Sequence, residues 1–134
     1  KRHRMMTQLP QPLTARLGYA LPRRMVDAGM EAAYRRAMEK VEESYTALAA
    51  WNPEVAAYVV PNGFRRRVLL TFNFRTAMHF TGLRSAPNAH FSLRRAAQRM
   101  AEEIRRCSPA LGAYLPVNPE ETWQSIESKH FAAA

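Results

Sequence analysis

The sequence predicts an α+β domain, mainly helical with a small sheet contribution, and two observations carry that expectation. Apolar residues recur at spacings of three and four over two long stretches, one from Asp27 and one from Ala89, which is the period of a helical face. Between them, residues 64–73 set a mostly apolar row against a more polar one, as a half-buried strand requires. With 134 residues, 47% of them apolar, the chain is long enough for one domain with a core and short for two.

The chain opens on Arg2, His3 and Arg4, then Met5, Met6 and Thr7, before prolines at 10, 12 and 22 that exclude regular helix or central strand. This reads as an extended segment entering a loop, and by composition alone the basic triplet reads as a solvated terminus. From Asp27 onward, Met30, Tyr34, Ala37, Met38, Val41, Tyr45 and Leu48 form one helical stripe. Asp27 is the expected N-cap, Glu31 falls in the first turn, and Glu31 with Arg35 makes a favourable pair one turn apart. The Met and Tyr stripe reads as core packing. Asn52-Pro53 stops this helix, and Glu54 to Val60 reads as a short helix or an extended segment closed by Pro61-Asn62-Gly63.

In the strand, Phe64, Arg66, Val68, Leu70 and Phe72 alternate with Arg65, Arg67, Leu69, Thr71 and Asn73, so Asn73 points to the polar side. A short helix from about Phe74 to Leu83 places Arg75 and His79 one turn apart on the same face. Gly82, Pro87 and Asn88 break the pattern, with Asn88 the expected cap of the next helix. That helix carries Ala89, Leu93, Ala96, Ala97, Met100, Ile104 and Cys107 on one stripe, and Arg94, Arg95, Arg99, Glu102, Glu103 and Arg106 outside it. Periodicity is lost after Pro109, and Asn118 to Glu127 reads at most as the start of a weak helix.

The net charge of +9 comes almost wholly from arginine, since lysine occurs only at Lys1, Lys40 and Lys129. Arginine suits bidentate phosphate and carboxylate binding, so a polyanionic partner is expected: a nucleotide, a dinucleotide cofactor or nucleic acid. Cys107 is the only cysteine, which excludes an intramolecular disulfide and a cysteine-based zinc site within the chain and suits a cytoplasmic protein. No apolar run approaches the roughly 18 residues that span a bilayer, and the first residues are too basic and too Pro-broken for a signal peptide. Lys1, heading a charged run without a methionine, suggests a piece of a longer chain.

No nucleophile and base pair and no metal-ligand spacing stands out, and Asp27 is the only aspartate, which argues against a self-contained hydrolase. The histidines, His3, His79, His90 and His130, are scattered. Asn73, Arg75, His79 and Arg84 differ in clustering about a strand-to-helix junction, where a fold can hold a ligand's phosphates and rings.

The order Arg2-His3-Arg4-x-x-Thr7 resembles the Arg-His-Arg-x-x-Ser signature of flavin-dependent thymidylate synthases, with threonine for serine. Pro61, then Asn73-x-Arg75, then Leu83-Arg84, followed by Ala89 and a long helix with Ile104 and Cys107-Ser108-Pro109, resembles the second half of the same proteins in order and approximate spacing. The likeness covers most of Arg2 to Leu115. It implies that residues 1–115 are the C-terminal part of that family's fold, α+β and mainly helical with a small antiparallel sheet, and that residues 116–134 are a tail. It further implies a flavoprotein methyltransferase of nucleotide biosynthesis, which transfers a methylene from methylenetetrahydrofolate to dUMP and reduces it with hydride from FAD, itself reduced by NADPH. By the same resemblance Arg2, His3 and Arg4 lie against the flavin, with Arg2 also reaching the nucleotide. Asn73 and Arg75 contact FAD, and His79 and Asn88 fall at flavin-side positions. Arg84 stands at the uracil ring as the catalytic cation, where it stabilises negative charge developing on the base.

The departures fall on the nucleotide side. Family members follow the serine with Asn-Glu-x-Ser-x-Arg-Tyr, which grips the dUMP phosphate and base, whereas this chain has Leu9, Pro10, Gln11, Pro12, Leu13, Thr14 and Ala15. Arg16 is the nearest candidate substitute. A family arginine aligns with Ala57 and a family histidine with Asn88, with His90 two residues away as a stand-in. The family's strands and helix before Arg-His-Arg are also missing, so this is either part of a longer chain or a degenerate module. Family sites form between subunits of a homotetramer, so a homo-oligomer or pairing with another family domain is expected. Three readings follow: a flavin-dependent thymidylate synthase-like domain with a degraded dUMP grip, a non-catalytic pairing module on that fold, and a nucleic-acid-binding domain using Arg65-Arg66-Arg67 and Arg94-Arg95. The last ranks lowest, because no aromatic stacking platform accompanies those arginines.

Overall fold

The computed structural model describes residues 5–132. It is α+β and mainly helical, as the sequence predicts, and resolves into two compact units. One comprises the described residues up to Gln8 with Leu70–His130, and the other Leu9–Leu69 with the described residues from Phe131. The sheet has two antiparallel strands, β1 (Met6–Pro10) and β2 (Val68–Phe72). Beyond them the Gln11 N–H donates to the Arg67 carbonyl at 3.0 Å. The strand expected over residues 64–73 is therefore shorter. Its partner runs into Pro10 and Pro12, and Pro has no N–H to carry a ladder onward. Phe64 instead is buried and forms an isolated bridge with Tyr19.

In the second unit, α1 (Arg23–Asp27) is followed by α2 (Glu31–Trp51) and α3 (Pro53–Ala56), which runs on as a 3-10 turn over Ala57–Val59. Asp27 does not cap the long helix. Pro22 starts a separate short helix that Asp27 ends, Gly29 reverses the chain at φ 69°, and α2 begins after Met30, which is exposed and makes no side-chain cap. The rest of the stripe packs as expected, with Met38 and Tyr45 buried beside Ala15, Ala56, Val60 and Phe64, and with Tyr34, Val41 and Leu48 against them. Gly63 allows this packing, because a Cβ there would lie 2.6 Å from Met38 Cε and 2.8 Å from Tyr34 Oη. The Tyr34 hydroxyl donates to the Ala20 carbonyl at 3.0 Å, and its pKa is raised by burial and then by neighbouring Tyr19.

In the first unit, α4 (Phe74–Ser85), α6 (Pro109–Gly112) and α7 (Trp123–His130) all pack on α5 (Phe91–Cys107). Ala77, Ala101 and Leu115 are buried at the centre, with Phe72, Met78 and Ile104 around them. His90, not Asn88, caps α5, its Nδ1 accepting the Ser92 N–H at 3.3 Å. The helix expected to be weak is instead anchored. Ile126 is 1% exposed, and Gln98 Nε2 donates to the Asn118 carbonyl at 2.8 Å. Arg94 meets Glu121 through two bonds of 2.8 and 3.1 Å, Arg95 pairs with Glu127 at 3.0 Å, and Arg99 lies over the Trp123 ring at 4.9 Å. Most of these partners lie twenty to thirty-two residues apart in the chain, which a search for local periodicity does not register.

Candidate functional site

Of the expected site residues, Arg2, His3 and Arg4 lie outside the described residues. Asn73 sits between β2 and α4 with extended backbone, φ −80° and ψ 169°, and its Oδ1 accepts the Thr76 N–H at 2.9 Å. Its capping oxygen is thus committed, and the amide N–H groups remain as donors. Thr76 Oγ1 donates to the Met5 carbonyl at 3.2 Å. That bond ties the residue following Arg4 to the first turn of α4.

Arg75 is exposed in that first turn, which contains no acidic residue, and none of the described ion pairs involves it. His79 follows four residues later, near the middle of α4, and is also exposed, so Arg75 and His79 share one face of the first half of the helix that Asn73 caps. Arg84 and Asn88 do not join them. Nine residues along a helix is about 13 Å of rise and about half a turn of rotation, which puts half-buried Arg84 at the other end and on the opposite face from Arg75. Asn88 is exposed in the loop beyond it. The cluster read from the sequence as one junction is therefore two.

One electrostatic signal in the sequence bears on both ends. Between Glu54 and Glu102 there is no acidic residue, while eight arginines fall in that interval. The structure engages several of them: Arg94 and Arg95 with glutamates, Arg99 over Trp123, and Arg66 with Asn62 Oδ1 at 2.6 Å. Arg75 has no carboxylate in an ion pair with it among the described residues, and it stands at a helix end where the macrodipole disfavours a cation.

The nucleotide-side positions look different. Pro12, Leu13 and Ala57 come together on one open cavity of about 710 Å³, which no arginine or lysine lines among the described residues. Arg16 lines a separate hollow of about 340 Å³ with Glu42 and Tyr45, so it does not face that cavity. His90 caps α5 and packs its ring against Phe91 at 4.1 Å. Among the described residues no group of three or more His, Cys, Asp or Glu is placed to hold a metal ion, and no helix is long and apolar enough to cross a membrane.

The profile of the family described as thymidylate synthase complementing protein matches residues 1–110. The chain belongs to that family. Relatives at modest identity divide into two groups. A UPF0159 protein of Chlamydia muridarum (strain MoPn / Nigg) is 43% identical over 115 residues, 86% of this chain and 22% of its own length. A UPF0159 protein of Thermoplasma acidophilum is 36% identical over 122 residues, 86% of this chain and 23% of its own length. A flavin-dependent thymidylate synthase of Saccharolobus solfataricus is 34% identical over 90 residues, 66% of this chain and 34% of its own length. The chain thus spans about a fifth of the UPF0159 relatives and a third of the synthase. Dividing 115 by 0.22 and 90 by 0.34 gives about 520 residues for the Chlamydia protein and about 265 for the synthase, a twofold difference.

Proposed function

We propose that this chain supplies the flavin-side part of a flavin-dependent thymidylate synthase-like site, within a domain of residues 1–115 to which residues 116–134 are appended. The observation that carries the reading is Arg75, a cation exposed in the first turn of α4 with no acidic residue in that turn, beside the Asn73 amide and one turn before His79. These groups fit a dinucleotide: a guanidinium for phosphate and amide and imidazole groups for hydrogen bonds to the ribose or ring. Arg2, His3 and Arg4 are assigned to the same cofactor, since Met5 is held on Thr76. Bound FAD would supply hydride, replenished by NADPH, for reducing a methylene donated by methylenetetrahydrofolate to dUMP. Arg84 and Asn88, at the far end of α4, serve a second half-site, with Arg84 holding positive charge at the uracil as the base becomes anionic. A helix with its groups divided between two ends suits a homo-oligomer or a pairing with another family domain in the cytoplasm.

The test is direct. The chain is titrated with FAD and followed by flavin absorbance. Saturable binding supports the reading, and a protein that ignores FAD at high concentration overturns it. A non-catalytic pairing module is the second reading, favoured by the apolar cavity where the dUMP grip is expected and by the double length of the UPF0159 relative. It predicts that association with a family member survives Arg84→Ala.

A further inference from the structure

The cavity beside α3 has walls of Leu13, Val55, Ala57 and Val60, and among the described residues Glu54 is the one charged side chain that lines it. Among the described residues, no lysine or arginine lines this space. Its remaining polar capacity is limited. Asn52 Oδ1 is used by the Glu54 and Val55 N–H groups at 2.9 and 3.3 Å, which leaves the Asn52 amide N–H groups, the Glu54 carboxylate and the Tyr58 phenol. Tyr58 is 91% exposed and stands one turn after Glu54, so an aromatic face and a carboxylate border the same opening.

We propose that this cavity binds a small organic cation with an apolar or aromatic body. A phosphate or carboxylate entering here would meet Glu54 and find no cation to offset its desolvation. An ammonium group meets both features that attract it, the carboxylate and the ring of Tyr58. The volume of about 710 Å³ lies within the range of small-molecule sites and accommodates a fused bicyclic ring with a short amine arm. The proposal is independent of the flavin reading, because every residue lining the cavity belongs to Leu9–Leu69, whereas Asn73, Arg75 and Arg84 belong to the other unit.

The experiment titrates the isotope-labelled chain with tryptamine, indole, indole-3-acetate and dUMP, following backbone amide shifts. Tryptamine is expected to bind saturably with shifts centred on Leu13, Val55, Ala57 and Tyr58, roughly tenfold tighter than indole, with indole-3-acetate and dUMP weaker still. Glu54→Gln brings tryptamine to the level of indole, and Tyr58→Ala weakens it about threefold while leaving a solvent-facing position that tolerates truncation. Ala57→Trp fills the space and abolishes binding, and the exposed Tyr58 variant serves should that protein not fold. No shift with tryptamine up to about 10 mM, shifts that map elsewhere, or equal affinity for indole-3-acetate or dUMP overturns the proposal.

Discussion

Asn73 and Asn52 each cap a helix through the side-chain oxygen, the first accepting from Thr76 and the second from Glu54 and Val55. Two residues beyond the cap, one helix presents Arg75 and the other Glu54. The partial positive charge of a helix N-terminus favours a carboxylate and disfavours a guanidinium, so Glu54 sits where local electrostatics place it and Arg75 does not. A residue that breaks a local rule without a visible compensating contact is a candidate functional position, and the proposed reading assigns it to an anionic ligand. The same capping device therefore leads to opposite chemistry. One junction keeps the charge expected of a flavin site, while the other opens on an apolar cavity at the positions where a nucleotide grip is expected.

The largest effect that would sharpen this contrast is on the helical unit that carries Arg75, where α4 and α7 both pack on α5. Ile126→Ala removes a side chain that is 1% exposed and should cost about 2–5 kcal/mol in urea unfolding. A change below about 0.5 kcal/mol would mean that α7 is not part of the unit that positions α4. Next come the caps. Asn73→Ala and Asn52→Ala should each lose about 1 kcal/mol, and Asn73→Asp should restore most of that stability while still lacking the amide donor. If Asn73→Asp binds FAD as the parent chain does, the amide has no part in the site.

Arg75→Glu should go the other way. It places a carboxylate in the first turn and should raise stability by about 0.3–1 kcal/mol while weakening FAD. Loss of stability would show that Arg75 is a structural residue, and the contrast with Glu54 would fail. The smallest effect belongs to Tyr34, in the unit that holds the apolar cavity. Its pKa is raised in the folded state, so its contribution is fully present below the ordinary value of 10.0 and is lost as pH rises through the folded value. Stability measured across that range should fall, and Tyr34→Phe should flatten the fall while losing the bond to Ala20.

Much of the fold was legible because its signals are local. The stripe from Tyr34 to Leu48, the stop at Asn52-Pro53 and the strand and helix on either side of Asn73 all follow from spacing and punctuation. The two misplaced caps, Asp27 and Asn88, are residues of the right type at positions overruled by their neighbours. Pro22 starts its own helix upstream of Asp27, and His90 supplies the cap after Asn88. The C-terminal helix was illegible because Arg94, Arg95 and Gln98 hold it across long separations in sequence. Those contacts also use the Arg94-Arg95 pair that a nucleic-acid interface would need. For the site, Asn73, Arg75 and His79 follow one another at the β2–α4 junction and along the first half of α4, as their spacing implies. The separation of Arg84 follows only once the helix is known to run unbroken from Phe74 to Ser85.

The central claim, that the Asn73–Arg75 end of α4 is a flavin contact, is tested most directly by titrating FAD into the parent chain and into Arg75→Glu under identical conditions. Saturable binding by the parent chain and at least tenfold weaker binding by a variant that is equally or more stable is the predicted result. Equal affinities in the two proteins, or no FAD binding by either, would contradict it.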